Sequence, residues 1–153
     1  MMHLLTQFFL ALFATLGFAV IFRVPVRHIP ACVATGALGW ITYLISDYYF
    51  NSPIMGCFFG ACMVGLCSII AARVFKEAMT IFTIPGILCL VPGAKIFYTM
   101  DAFLKEDLEG FGEIGIQTLM MAGAIAMGLL VIGAVIKVFF AIISKTVSIK
   151  DKL

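Results

Sequence analysis

The sequence predicts an all-α membrane protein that crosses the bilayer about five times. Of its 153 residues, 63% are hydrophobic and only 12% are charged, whereas about 25% of a soluble domain is charged. The apolar residues also fall into runs close to the roughly 20 residues that a helix needs to span a bilayer. Because five spans use most of the chain, we expect residues 1–153 to form one integral membrane domain surrounded by lipid.

The five predicted spans follow one another through short connections. The first is long enough to stay in the membrane as a span rather than be removed as a signal peptide. Pro30 and Pro53 begin the second and third spans, because a proline in the first turn of a helix costs no hydrogen bond. In order, the spans cover about residues 4–22, 30–48, 53–72, 79–100 and 114–136.

The charges between the spans predict the orientation. Lys and Arg are enriched in cytoplasmic loops, so the basic connections place the N-terminus outside and the C-terminus inside. The fourth connection, residues 101–113, is mainly acidic, and we interpret it as a solvated or partner-facing loop outside. The basic residues that set the orientation are Arg23, Arg27, Arg73 and Lys76, and after the last span Lys137, Lys145, Lys150 and Lys152.

The fourth span carries two Pro-Gly pairs and a lysine inside an apolar run. Proline removes a backbone donor and glycine adds backbone freedom. In hydrocarbon, freed backbone groups are tolerated only where protein or a wet cavity satisfies them, and interrupted helices point to transporter binding sites. The alternative is a proline-kinked packing helix. The predicted substrate pathway comprises Thr83, Pro85, Gly86, Pro92, Gly93, Lys95 and Tyr98.

Other charged residues have one functional and one structural interpretation each. The ammonium of Lys95 either faces a cavity and attracts a carboxylate or snorkels to the membrane surface. Arg23 and Arg27 set the topology and, with Pro25 between them, are candidates for a cytoplasmic mouth that collects anions. Asp47 is a candidate for proton coupling, with a solvated carboxylate at a helix end as the alternative.

Small residues recur four apart on the apolar helices. Such spacing lets helix backbones approach closely in a membrane, where no hydrophobic effect drives association. We predict helix packing at Gly56, Gly60, Gly65 and Gly128. The same small faces leave surface for a partner chain or a higher oligomer.

The sequence lacks the usual constellations of an enzyme. Its five cysteines are not paired as in a zinc site, and no Ser-His-acid or Cys-His set can be assembled within a span. The net charge of +2 is too small to indicate nucleic acid. We therefore expect no catalytic activity, no metal, no cofactor and no nucleic-acid partner.

Three segments together resemble one protein family. Residues 17–27, GFAVIFRVPVR, resemble the first helix and turn of the small, YjjB-like subunit of the threonine/serine exporter family. The run 36–40, GALGW, lies where that family has a similar glycine pair. Val91-Pro92-Gly93 followed by Tyr98 resembles its Pro-Gly signature. The chain departs from the family pattern at Cys89, where the family has a proline, and Pro85-Gly86 supplies an earlier break of the helix instead.

The resemblance implies the small subunit of a two-component secondary exporter in a bacterial inner membrane. Its substrates would be threonine, serine or small dicarboxylates. A larger, YjjP-like membrane subunit would be its partner, and each subunit would form half of an inverted-repeat transporter. Two other functions stay open, namely a channel or pore subunit and a scaffold subunit that touches no substrate.

Overall fold

The computed structural model shows an all-helical chain. It describes the backbone of residues 2–150 and the side chains of residues 6–140 and 142, and this part contains no β-strand. The side chains of Lys145, Lys150 and Lys152, which contribute to the predicted orientation, lie outside the described ones. The helices are α1 (Met2–Ile21), a 3-10 turn (Val26–His28), α2 (Ile29–Phe50), α3 (Pro53–Phe75), α4 (Thr80–Leu88), α5 (Gly93–Leu104) and α6 (Leu108–Lys150).

Three segments of the described chain are each long and apolar enough to cross a membrane. They are Val26–Phe50, Pro53–Phe75 and Leu108–Phe140. The pair α4 and α5 makes a fourth span if it is counted as one, and its two helices meet at an angle of 56°. The described apolar part of α1, Thr6–Ile21, is shorter. The count of five spans and the N-out orientation therefore stay predictions.

The acidic connection is much shorter than the expected loop over residues 101–113. Asp101 lies in α5, and both Glu109 and Glu113 lie in α6. Helix α6 begins early because the carboxylate of Asp107 accepts a hydrogen bond of 3.0 Å from the backbone N–H of Gly110, as a helix N-cap does. At 43 residues, α6 is about 65 Å long, twice the thickness of the bilayer core.

Helix α2 is the centre of the bundle, with α1, α3 and α4 packed around it. Helix α6 packs on the outer side of α3, and α5 packs mainly on α6. The bend between α4 and α5 thus carries the chain from the central helices to α6. Two buried clusters hold the ends of the bundle: one has Ala19, Val24, Cys32 and Phe82 at its centre, and the other has Cys57, Ala61, Val64, Leu90, Met121 and Ile125.

The four glycines predicted to pack helices all lie at close helix contacts. A Cβ atom at Gly60 would lie 2.9 Å from the side chain of Leu90 and 3.1 Å from the carbonyl oxygen of Gly39. Real Cβ atoms essentially never approach another atom within 3.0 Å, so a side chain at Gly60 would require Leu90 to shift. At Gly56, Gly65 and Gly128 the corresponding neighbours are Tyr43, Ile132 and the carbonyl oxygen of Phe58.

Candidate functional site

The chain breaks between α4 and α5 at the second Pro-Gly pair. Helix α4 ends at Leu88 and α5 begins at Gly93. Between them, the N–H of Leu90 bonds the carbonyl of Ile87, and the N–H of Gly93 bonds the carbonyl of Val91, each at 2.8 Å. Pro92 has no N–H with which to continue the helix. The interruption predicted for the fourth helix is therefore a tight turn at this pair.

The first Pro-Gly pair does not break the helix, contrary to the expectation that both pairs would. Pro85 lies inside α4. A proline at this position leaves the carbonyl of Ile81, four residues earlier, without its helical donor. The thiol of Cys32 on α2 donates to that carbonyl at 3.3 Å. The carbonyl freed by Pro85 is thus already hydrogen-bonded within the protein.

A cleft of about 220 Å³ opens beside the break. Trp40 and Tyr43 of α2 form one wall, and their rings stack with centroids 5.0 Å apart and an interplanar angle of 21°. Met121 of α6 also lines it. The remaining lining residues belong to the break and the start of α5: Cys89, Leu90, Val91, Pro92, Gly93, Ala94 and Lys95. We call this space the break cleft.

Lys95 is the charged residue of the break cleft. Its Nζ donates a hydrogen bond of 2.7 Å to Oε1 of Gln117 on α6. Among the described residues, no carboxylate lies within 4.0 Å of this ammonium. A neutral amide does not cancel the positive charge of an ammonium, so Lys95 can still bind an anion. Such a group inside a membrane segment is by default a functional candidate.

A second cleft, of about 330 Å³, lies at the other end of α4. We call it the linker cleft because the connection between α1 and α2 forms one side. That side includes Arg23, whose φ of 52° lies in the left-handed region that costs a non-glycine residue about 1–2 kcal/mol. The complete lining is Phe22, Arg23, Val24, Pro25, Thr80, Ile81, Ile84 and Pro85.

The structure places six of the predicted site residues at these two clefts. Pro92, Gly93 and Lys95 line the break cleft, whereas Arg23, Pro25 and Pro85 line the linker cleft. Their assignment to a substrate pathway stays a prediction.

Five predicted site residues line neither cleft. Gly86 is buried against α2 and α3, and the hydroxyl of Thr83 bonds the carbonyl of Met79 in its own helix. Tyr98 and Arg27 are exposed. Asp47 is half-buried near the C-terminal end of α2.

Densely packed side chains separate the two clefts. Thr15 is completely buried, and its hydroxyl lies 2.8 Å from the carbonyl oxygen of Ala11 and 3.1 Å from Sγ of Cys89. Thr35, also buried, packs against Gly86, where a Cβ atom would lie 3.1 Å from the threonine methyl. The described structure therefore has a space at each end of α4 and a closed layer between them.

Several polar residues of the site were missed by the sequence reasoning. Gln7 and Gln117 are uncharged polar residues within apolar helices, and that isolation was the signal that could have identified them. Gln7 accepts a hydrogen bond of 3.3 Å from the indole N–H of Trp40. This bond joins α1 to α2 beside the break cleft.

His28 and Glu77 were also missed. Nε2 of the buried His28 lies 3.6 Å from Oε1 of Glu77, and its ring packs against Phe75 and Phe82. The pair connects the α1–α2 connection to the α3–α4 connection at the end of the bundle that holds the linker cleft. The sequence offered no signal for it, because the two residues are 49 positions apart.

Comparison with known proteins gives one family. The family model described as Threonine/Serine exporter, ThrE matches residues 7–135. An uncharacterized protein of Haemophilus influenzae is 27% identical over 138 residues, a match that covers 84% of this chain and 46% of that relative. The chain thus spans about half the length of the curated relative it matches. No solved structure matches the chain.

Proposed function

The chain belongs to the threonine/serine exporter family, and from that premise we propose that it is the small membrane subunit of a two-component secondary exporter. Family membership and the apolar helices already indicate a transporter-type membrane protein rather than an enzyme. The proposed substrates are small polar metabolites, either amino acids of the threonine and serine type or small dicarboxylates. The proposed location is a bacterial inner membrane.

The observation that carries the proposal is Lys95 at the broken helix. The α4–α5 break opens a cleft inside an apolar segment, and an ammonium that is hydrogen-bonded to the neutral amide of Gln117 lines it. Interrupted helices with exposed polar groups at the break are how many secondary transporters build their substrate sites. Lys95 would bind a substrate carboxylate, with Gln117 holding the ammonium in place.

The two clefts suggest how substrate would move. Substrate would enter the linker cleft past Arg23 and leave through the break cleft past Lys95. The closed layer around Thr15, Thr35 and Gly86 would open when this subunit rocks against its partner. An ion gradient or a substrate gradient would drive the cycle, and Asp47 is the proposed residue for proton coupling.

The length of the Haemophilus relative supports the proposal that this chain has a partner subunit. The match covers 46% of the Haemophilus relative, so that relative carries additional chain beyond the part that resembles this one. A larger, YjjP-like membrane subunit would supply the second half here. Copurification of this chain with such a subunit from native membranes would support the assignment, and a homo-oligomer that transports alone would contradict it.

Lys95→Met is the test of the proposed substrate site. We expect uptake of labelled L-threonine, L-serine or succinate into inside-out vesicles to fall about tenfold, because a hydrogen bond to a charged group contributes roughly 1.5–3 kcal/mol. Lys105→Met is the matched control, since this lysine lies at the other end of α5 with its side chain 70% exposed and paired with Asp101.

Two outcomes would contradict the proposed role of Lys95 or of the transporter, and a third would show that the test is not specific. Undiminished, saturable transport by Lys95→Met, at a normal membrane level, would remove Lys95 from the substrate site. A flux that does not saturate would favour a channel, and loss of transport in both lysine variants would indicate a general disturbance of α5.

A further inference from the structure

Trp40 separates the break cleft from a third space. This third space, of about 170 Å³, lies between α1 and α2, and Gln7 and Ala14 line it. Trp40 and Cys89 line both spaces. The indole and the thiol therefore form the wall between them. Without that wall, the break cleft would nearly double in size.

Two contacts fix the indole in this position. Its N–H donates to Oε1 of Gln7 at 3.3 Å, and its face stacks on Tyr43 at 5.0 Å. Trp40 is half-buried, and a Trp side chain is rigid and bulky, with an N–H that usually finds a partner where it is shielded from water. The other half of the wall is also held, because Sγ of Cys89 lies 3.1 Å from the hydroxyl of the buried Thr15.

We propose that Trp40 determines substrate size in the break cleft. The proposal rests on the proposed function, since it assigns a specificity role within the same transport site. At about 220 Å³ the break cleft is smaller than the 300–1,000 Å³ typical of drug-sized ligand pockets. Trp40 blocks the adjoining space, so a substrate carboxylate on Lys95 leaves room for only a short side chain beyond it.

The wall itself can be tested without any transport assay. Cys89 is native to the chain, and its labelling by N-ethylmaleimide in membranes can be followed by mass spectrometry. We expect Trp40→Ala to raise the labelling rate of Cys89 about tenfold and Trp40→Phe to raise it less. Phe97→Ala is the control, because the Phe97 ring is 67% exposed and lines neither cleft.

Substrate size is then tested by transport selectivity. The ratio of L-phenylalanine to L-threonine uptake should rise about tenfold in Trp40→Ala, in line with the discrimination that added bulk in a pocket gives. It should stay at the native value in Phe97→Ala. Gln7→Ala removes the hydrogen-bond partner of the indole but keeps the indole itself, and it should raise the ratio severalfold. This variant still tests the proposal if Trp40→Ala fails to assemble in the membrane.

Each result decides a separate claim. Unchanged Cys89 labelling in Trp40→Ala would show that Trp40 does not separate the two spaces. Faster labelling with an unchanged selectivity ratio would show that Trp40 does not determine substrate size. If the native chain transports neither amino acid, the proposed function fails on that substrate class. The labelling rate alone then still decides whether Trp40 divides the two spaces.

Discussion

The two Pro-Gly pairs of this chain consist of the same two residues, but one pair lies within a helix and the other lies at a break between two helices. Pro85-Gly86 lies inside α4, which continues through it, whereas Pro92-Gly93 ends one helix and begins the next at 56°. They are only seven residues apart. The difference shows that proline alone does not decide where a membrane helix breaks.

The surroundings of each pair explain the difference. The carbonyl freed by Pro85 accepts a hydrogen bond from the thiol of Cys32, and Gly86 packs against Thr35 and Val64. At the second pair, a Cβ atom on Gly93 would meet nothing within 4 Å. Close packing and a replacement hydrogen bond thus keep the first pair helical. The second pair faces a cleft and is free to turn.

The largest expected effect is a difference in protein stability between leucine variants at the two glycines. Gly86→Leu should lower the free energy of unfolding by about 3 kcal/mol, because extra carbons in a packed core force neighbours to shift. Gly93→Leu should change it by less than about 0.5 kcal/mol, as substitutions at open positions do. Reversible unfolding in mixed micelles measures both, and equal losses would contradict the packing difference.

Sequence reasoning was most successful where a local rule decides the structure. Pro30 and Pro53 lie in the first turns of α2 and α3 as expected, and Pro92-Gly93 interrupts the fourth span. The early start of α6 was also readable in principle, because Asp107 is a favourable N-cap residue. The expected acidic loop ignored that capping signal.

The rest depends on contacts between residues far apart in the chain. The bond that keeps α4 intact at Pro85 joins the carbonyl of Ile81 to Cys32, 49 residues before it. The partner of Lys95 is 22 residues away, and the partner of Trp40 is 33. No local pattern specifies such pairs, since they arise from which helix faces pack together. The sequence therefore predicted the break but not the side chains that line the cleft beside it, and the role of Lys95 stays a prediction.

A smaller effect tests the bond between Cys32 and Ile81. Cys32→Ala should destabilise the native protein by about 1.5 kcal/mol, because it leaves a buried carbonyl without a donor. In a Pro85→Ala background the cost should fall by about 1 kcal/mol, since the new N–H of residue 85 can bond the same carbonyl. Unfolding of the two single variants and the double variant gives the coupling energy.

Cys32→Ser is the matched control for this cycle. It retains a donor of similar size at the same position, so its loss of stability should be smaller than that of Cys32→Ala. Additive effects of Cys32→Ala and Pro85→Ala would show that the thiol does not compensate for the proline. The account of why α4 continues through Pro85 would then be wrong.

The central proposal is that the break at Pro92, and not the helical proline at position 85, forms the proposed substrate site at Lys95. Uptake of labelled L-threonine into inside-out vesicles should fall about fivefold in Pro92→Ala, because the restored N–H can bond the carbonyl of Leu88 and straighten the helix across the cleft. Pro85→Ala should retain uptake within about twofold at the same membrane level. Equal uptake by Pro92→Ala and the native chain, or a larger loss in Pro85→Ala, would contradict the claim.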